Sequence, residues 1–220
     1  MSLSFAKPTT RTIIRTLIPI GTALLAFVVT GFLLLAGGFD PLEAYGLILQ
    51  GSVGGVREGG ETLVRTTSLL LTGLAVGFAF RCKVWNIGAE GQLYFGAIGA
   101  VVIALTVAGQ IPVFGVIIAI IFAMIFGAGW AAIAGVLKSR LGVNEIIVTV
   151  MLNFIAILFV DFLVHGALKA PGFEPQTALI PLTSQLPILI EGTRFHAGFL
   201  VAIAAAVLIY LILFKTKTGF

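Results

Sequence analysis

The sequence predicts an all-α integral membrane protein with about six transmembrane helices and both termini on the cytoplasmic side. Three observations carry this. Of 220 residues, 59% are hydrophobic and only 10% are charged, against roughly 25% charged in a soluble domain, so there is too little polar surface to cover a water-soluble globule. The apolar residues fall in uncharged runs of the length that lets a helix cross the roughly 30 Å hydrocarbon layer with its backbone groups bonded internally. Lys and Arg concentrate in alternate connections between these runs, as the positive-inside bias requires.

Residues 1–15 form a basic cytoplasmic tail. Thr16 to Phe39 is the first span, uncharged between Arg15 and Asp40; its length and the absence of a small-residue cleavage site mark a retained helix rather than a signal peptide. Asp40 to Thr62 is Gly-rich, with a short surface helix expected over Leu42 to Leu49. Leu63 to Phe80 is the second span, entered at Arg65. Gly91 to Leu137 is uncharged throughout and too long for one crossing, and Gly109-Gln110-Ile111-Pro112 is the turn that divides it. Ile146 to Leu168 and Phe195 to Phe214 complete the set. Between these last two, residues 169–194 carry four of the eight prolines, Pro171, Pro175, Pro181 and Pro187, which predicts an extended, semi-rigid outer loop. It is either a connector or a docking surface for an external partner.

With the N-terminus inside, Lys7, Arg11, Arg15, Arg81, Lys83, Lys138, Arg140, Lys215 and Lys217 are cytoplasmic. Arg57, Arg65, Lys169 and Arg194 fall outside, together with Asp40, Glu43, Glu58, Glu61, Glu174 and Glu191. The formal charge of +4 does not point to nucleic acid, because the charges are sparse and clustered between apolar runs. The single cysteine, Cys82, excludes a disulfide framework and a cysteine metal site. There is no phosphate-binding Gly-x-x-x-x-Gly-Lys-Ser/Thr loop, no Gly-x-Ser-x-Gly elbow and no His-Glu-x-x-His zinc helix. His165 and His196 are read as interfacial rather than metal ligands. The chain is therefore not expected to be an enzyme or to hold a metal or cofactor. Energy for uphill movement has to come from an ion gradient or a separate subunit.

Two features carry chemistry. Trp85-Asn86-Ile87-Gly88-Ala89-Glu90-Gly91-Gln92 places two amides and a carboxylate between glycines at the mouth of an apolar span. A carboxylate at a helix centre costs about 2.5–3.5 kcal/mol, so Glu90 must face protein or water. It either lines a cavity opened by a broken helix or pairs with Arg81 or Lys83 at the interface. The second feature is the i, i+4 row Glu145, Thr149, Asn153, Ile157, Asp161, His165, about 30 Å long, which crosses the membrane. Interhelical hydrogen bonding and pathway lining both account for it. Gly96 and Ala100, and Gly127, Ala131 and Gly135, repeat every four positions and mark close helix packing.

At these residues the chain resembles the membrane permeases of bacterial ABC importers, in particular the nucleoside and simple-sugar branch of the branched-chain amino acid/ribose-type permeases. The resembling stretches are Val84 to Gly99, Lys138 to Ala156, Pro175 to Gly198 and Lys215 to Phe220. The resemblance implies a multi-pass protein of the bacterial inner membrane that works with a cytoplasmic ATPase subunit binding the ATP, a second permease subunit (a homo- or heterodimer) and an external substrate-binding lipoprotein. It places Trp85, Asn86, Glu90, Gln92, Thr149 and Asn153 on the substrate pathway, and Lys138, Arg140, Asn144 and Glu145 near the cytoplasmic gate or coupling region. Residues 1–220 then form a single transmembrane permease domain, expected to be either the N-terminal portion of a longer permease or a truncated reading frame, because the Lys-Thr-x-x-Gly-Phe motif stands at its end. Two alternatives are an ion-coupled secondary transporter using Glu90 or Asp161, and a non-transporting membrane scaffold.

Overall fold

The computed structural model describes residues 10–111 and 114–216, with the side chains of residues 10–16 and 108 left aside. Lys7, Pro112, Lys217 and the final Gly-Phe of the terminal motif lie outside the described residues. The described residues form seven α-helices and two single 3-10 turns, Ala108–Gln110 and Leu182–Ser184. An isolated antiparallel bridge joins Ile188 to His196. Six of the helices are long and apolar enough to cross a membrane, and the protein is a multi-pass membrane protein. The chain divides into two compact units, Met1–Gly59 and Gly60–Phe220.

The first unit holds α1 (Thr10–Ala36) and α2 (Pro41–Val53). Asp40 caps α2, its carboxylate accepting from Leu42 N–H at 2.8 Å, with Pro41 in the first turn where no N–H is needed. This helix is the surface helix expected over Leu42 to Leu49, extended by a turn. It is held to α1 by Tyr45, whose hydroxyl donates to Phe27 O at 2.5 Å and whose ring meets Phe27 edge-on at 5.5 Å.

The second unit contains α3 (Val56–Arg81), most of which belongs to it, then α4 (Ala89–Thr106), α5 (Gly115–Leu141), α6 (Glu145–His165) and α7 (Gly198–Lys215). The long uncharged block divides where the sequence predicts: α4 stops at Thr106 and α5 starts at Gly115. These two helices pack backbone to backbone. A Cβ on Gly96 would lie 3.1 Å from Ala123 O, and one on Gly127 3.1 Å from Gln92 O, so the four-residue spacing of small side chains does bring the helices together. Gly99 is tighter still, with Phe122 O 2.9 Å from its Cβ position, although the spacing argument did not single it out. Gly135 has open space instead.

The charges sort to opposite ends of this unit. At one end Lys138 pairs with Glu145, and the Arg81 guanidinium lies 5.2 Å over the Phe214 ring. At the other, Arg194 meets Glu61 at 3.5 Å, and the Thr183 hydroxyl donates to Gly109 O at 2.8 Å. Lys138 and Arg81 belong to the set assigned to the cytoplasm by charge, and Arg194 and Glu61 to the set assigned outside. In a Cys82→Ser background, an impermeant thiol reagent applied to intact cells is expected to label Thr177→Cys and to leave Ser139→Cys unlabelled. The reverse pattern would invert the topology.

Candidate functional site

The site grows from a break between α3 and α4. After Arg81 the chain closes α3 with Lys83 in the left-handed region (φ 58), Lys83 N–H donating to Phe80 O and Val84 N–H to Ala79 O, each at 3.0 Å. This is the double bond pattern that commonly ends a helix on glycine. Trp85 to Gly88 then runs without helical structure before α4 begins at Ala89. Glycine at the N-cap supplies no side chain to bond the first N–H groups of α4, and in a membrane each unsatisfied backbone group is costly.

The neighbouring helix supplies the missing partners. Asn153 Oδ1 accepts from Gly91 N–H at 2.8 Å, its Nδ2 donates to Ile87 O at 2.9 Å, and Thr149 Oγ1 accepts from Ile87 N–H at 3.3 Å. Asn153 thus caps α4 from another helix and ties down the non-helical segment with the same amide. Inside the break, Asn86 Oδ1 accepts from Gly88 N–H and from Gln92 Nε2, both at 3.0 Å, while Asn86 Nδ2 donates to Gln92 Oε1 at 3.2 Å. Gly91 allows the approach: a Cβ there would meet Asn153 Oδ1 at 2.9 Å and Trp130 Nε1 at 3.0 Å.

Below the clamp, Asn144 caps α6 by accepting from Ile146 N–H at 2.9 Å, and Gly142, in the left-handed region, ends α5. This tight turn brings Glu145 to the Lys138 ammonium. The first three members of the polar row, Glu145, Thr149 and Asn153, are therefore all engaged by neighbouring elements. Asp161 and His165 pair with each other at 3.2 Å on an exposed surface.

A cavity of about 530 Å³ lies against this network. Of the sequence-predicted residues, Asn86, Gln92, Thr149, Lys138 and Glu145 line it, joined by the small side chains Ala131, Ala134 and Gly135 of α5. Trp85, Glu90, Asn153, Arg140 and Asn144 are not among its walls. Trp85 is exposed and packs on Phe80 at 5.2 Å. Arg140 and Asn144 are exposed at the end of α5 and in the following turn. Glu90 is exposed on α4, and among the described residues it has no hydrogen bond or ion pair, with Arg81 and Lys83 no exception.

Sequence reasoning did not single out Trp130, which stacks on Phe95 at 3.5 Å between ring centroids while Phe159 stacks on the same ring at 5.5 Å. Its Nε1 is buried without a partner beside Gly91. Trp130 lies in an unbroken apolar run, and nothing local distinguishes it. Among the described residues there is no cluster of His, Cys, Asp and Glu fit to hold a metal ion. The arrangement offers amides and hydroxyls and a neutralised charge pair, chemistry suited to contacting an uncharged polar molecule.

Comparison with known proteins follows the same residues. Residues 60–220 match the family described as branched-chain amino acid transport system / permease component. The guanosine ABC transporter permease protein of Bacillus subtilis is 34% identical over 209 residues, covering 93% of this chain and 59% of that one. The glucose ABC transporter permease protein of Haloferax volcanii is 34% identical over 217 residues, covering 92% of this chain and 56% of its own. A nucleoside ABC transporter permease protein of Lactococcus lactis is 30% identical over 215 residues, covering 94% and 59%. The chain thus spans somewhat under three fifths of the length of these relatives. No solved structure matches it.

Proposed function

Since the chain belongs to the permease-component family of branched-chain amino acid transport systems, we propose that it is membrane-spanning sequence of an ATP-driven importer for nucleosides or related simple sugars. The observation that carries this is the match over residues 60–220 together with relatives named for guanosine, nucleoside and glucose transport. In this reading the chain contributes no chemistry of its own. A cytoplasmic ATPase subunit binds and hydrolyses ATP, a second permease subunit completes the pathway, and an external binding lipoprotein delivers the passenger.

The tied-down connection between α3 and α4 supports the reading, because non-helical backbone next to a membrane is tolerated where it is buried in protein or lines a water-filled route. Glu90 marks the side on which that route runs. Gly91 is bonded to Asn153, which lies eight residues along α6 from Glu145, so Glu90 sits about 12 Å into the membrane from the Lys138–Glu145 pair at 1.5 Å per residue. An unpaired carboxylate at that depth cannot rest against lipid without the insertion cost given above. It faces the route or the second subunit, while Asn86, Gln92, Thr149 and Asn153 hold the segment that presents it. Lys138 and Glu145, with Arg140 and Asn144 beside them, set the cytoplasmic end where the ATPase acts.

Uptake by the assembled system is expected to stop on ATP depletion and to survive a protonophore; the opposite result would establish ion coupling. Glu90→Gln keeps the shape and removes the charge. It is expected to lower uptake at least tenfold with membrane abundance unchanged, and parallel losses of both would remove Glu90 from the pathway.

A further inference from the structure

Between α3 and α7 lies a groove of about 490 Å³ that shares only Phe78 with the cavity at the clamp. The two helices meet at its foot, where the Arg81 guanidinium lies over the Phe214 ring, and stand apart above it. Gly73 and Gly77 of α3 have the four-residue spacing that lets helix backbones approach, yet nothing lies within 4 Å of either Cβ position. The remaining walls are leucines, an isoleucine, an alanine and two phenylalanines, with Tyr210 the one hydroxyl and Arg81 the one charge.

From Leu69 to Arg81 the groove runs about 18 Å at 1.5 Å rise per residue. That is a little over half the roughly 30 Å hydrocarbon layer, the depth of one leaflet. Charge assigns the Arg81 end to the cytoplasm, so the leaflet is the inner one, whose surface is negative. Arg81 is exposed and, among the described residues, has neither a hydrogen bond nor an ion pair, so its N–H donors are open to a partner in the groove. No carboxylate lines the groove, and Lys215, next to Phe214, adds a second exposed cation at the same level. A basic pocket between membrane helices on the cytoplasmic side is a recurring form of anionic-lipid site. The planar guanidinium suits it, because it can fork onto a phosphate with two parallel N–H···O bonds.

We propose that this groove binds one anionic phospholipid of the inner leaflet, its phosphate on Arg81 and an acyl chain along Gly77 and Gly73. The site does not rest on the importer reading. Native mass spectrometry of the full-length protein tests it, in detergent micelles titrated with phosphatidylglycerol or with phosphatidylcholine of the same chains. One phosphatidylglycerol is expected to be retained about tenfold more tightly than phosphatidylcholine, the scale of a charge-assisted hydrogen bond. Arg81→Gln is expected to abolish that preference and to leave phosphatidylcholine unchanged. Gly77→Leu fills the groove where a Cβ meets nothing, and is expected to weaken both lipids about tenfold. Leucine favours a helix over glycine, so this variant carries the test should Arg81→Gln lower abundance.

Equal affinity of the wild type for the two lipids, or an unchanged preference in Arg81→Gln, would remove Arg81 as the partner of the phosphate and overturn the site. Wild-type retention by Gly77→Leu would put the lipid elsewhere and overturn it too. If the wild type retains no lipid, protein closes the groove, either further sequence or a second copy, and the proposal is wrong. ATP-dependent uptake without retained lipid leaves the importer standing and sinks the groove; retained lipid without such uptake does the reverse.

Discussion

Asn153→Leu is expected to reduce the amount of folded protein in the membrane by an order of magnitude or more, and uptake with it. Leucine has the same branching and number of side-chain heavy atoms as asparagine and can neither donate nor accept a hydrogen bond. Two backbone groups lose their partner: Gly91 N–H, bonded at 2.8 Å, and Ile87 O, bonded at 2.9 Å. A backbone group left without a partner and without water, as hydrocarbon leaves it, costs about 1–3 kcal/mol, and two of them are a large part of the stability of a typical domain. Asn153→Gln, one methylene longer, preserves the chemistry and misplaces it, so an intermediate loss is expected. Quantitative immunoblotting of membrane fractions beside uptake reads both effects. Normal abundance of Asn153→Leu with uptake abolished would mean that Asn153 touches the passenger and does not secure the break.

Gly99→Ala is expected to loosen the α4–α5 pair. The added Cβ would lie 2.6 Å from Phe126 Cγ and 2.9 Å from Phe122 O, and the second contact is backbone that no rotamer change relieves. Overpacking of this kind costs about 1–3 kcal/mol. Gly129→Ala on α5 serves as its reference, because nothing lies within 4 Å of that Cβ position and alanine favours the helix by roughly 0.5–1 kcal/mol. In detergent, the midpoint of thermal unfolding is expected to fall for Gly99→Ala and to hold or rise for Gly129→Ala. If the two variants melt together, the close approach at Gly99 does not exist.

These two residues also show how far the sequence could be read. The spans were legible because the bilayer fixes their length and excludes charge from them; α2 was expected over Leu42 to Leu49, and its Asp40 cap emerged only in the structure. The break at Trp85 to Gly88 was legible because two glycines and an asparagine interrupt an apolar run. What fills the break was not, since Asn153 meets Ile87 from 66 residues away. Periodicity shows that Glu145, Thr149 and Asn153 share a face of α6, and it is silent about what that face meets. Gly96 and Gly127 were found by their spacing, whereas Gly99 falls outside it. Gly135, inside the same pattern, borders the inner cavity.

The cap that α6 places on α4 also has a timetable. A helix normally brings its own N-terminal partner, so its first turn is complete as soon as it leaves the ribosome. Here Ile87 and Gly91 are synthesised with their hydrogen bonds unmade, and the side chain that completes them is 66 residues downstream of Ile87. At about 5–20 residues per second, that is a wait of roughly 3–13 s. Throughout it the start of α4 is a helix end with free N–H groups that hydrocarbon cannot satisfy. The start of α4 is therefore expected to stay in contact with water during synthesis until Asn153 has been made.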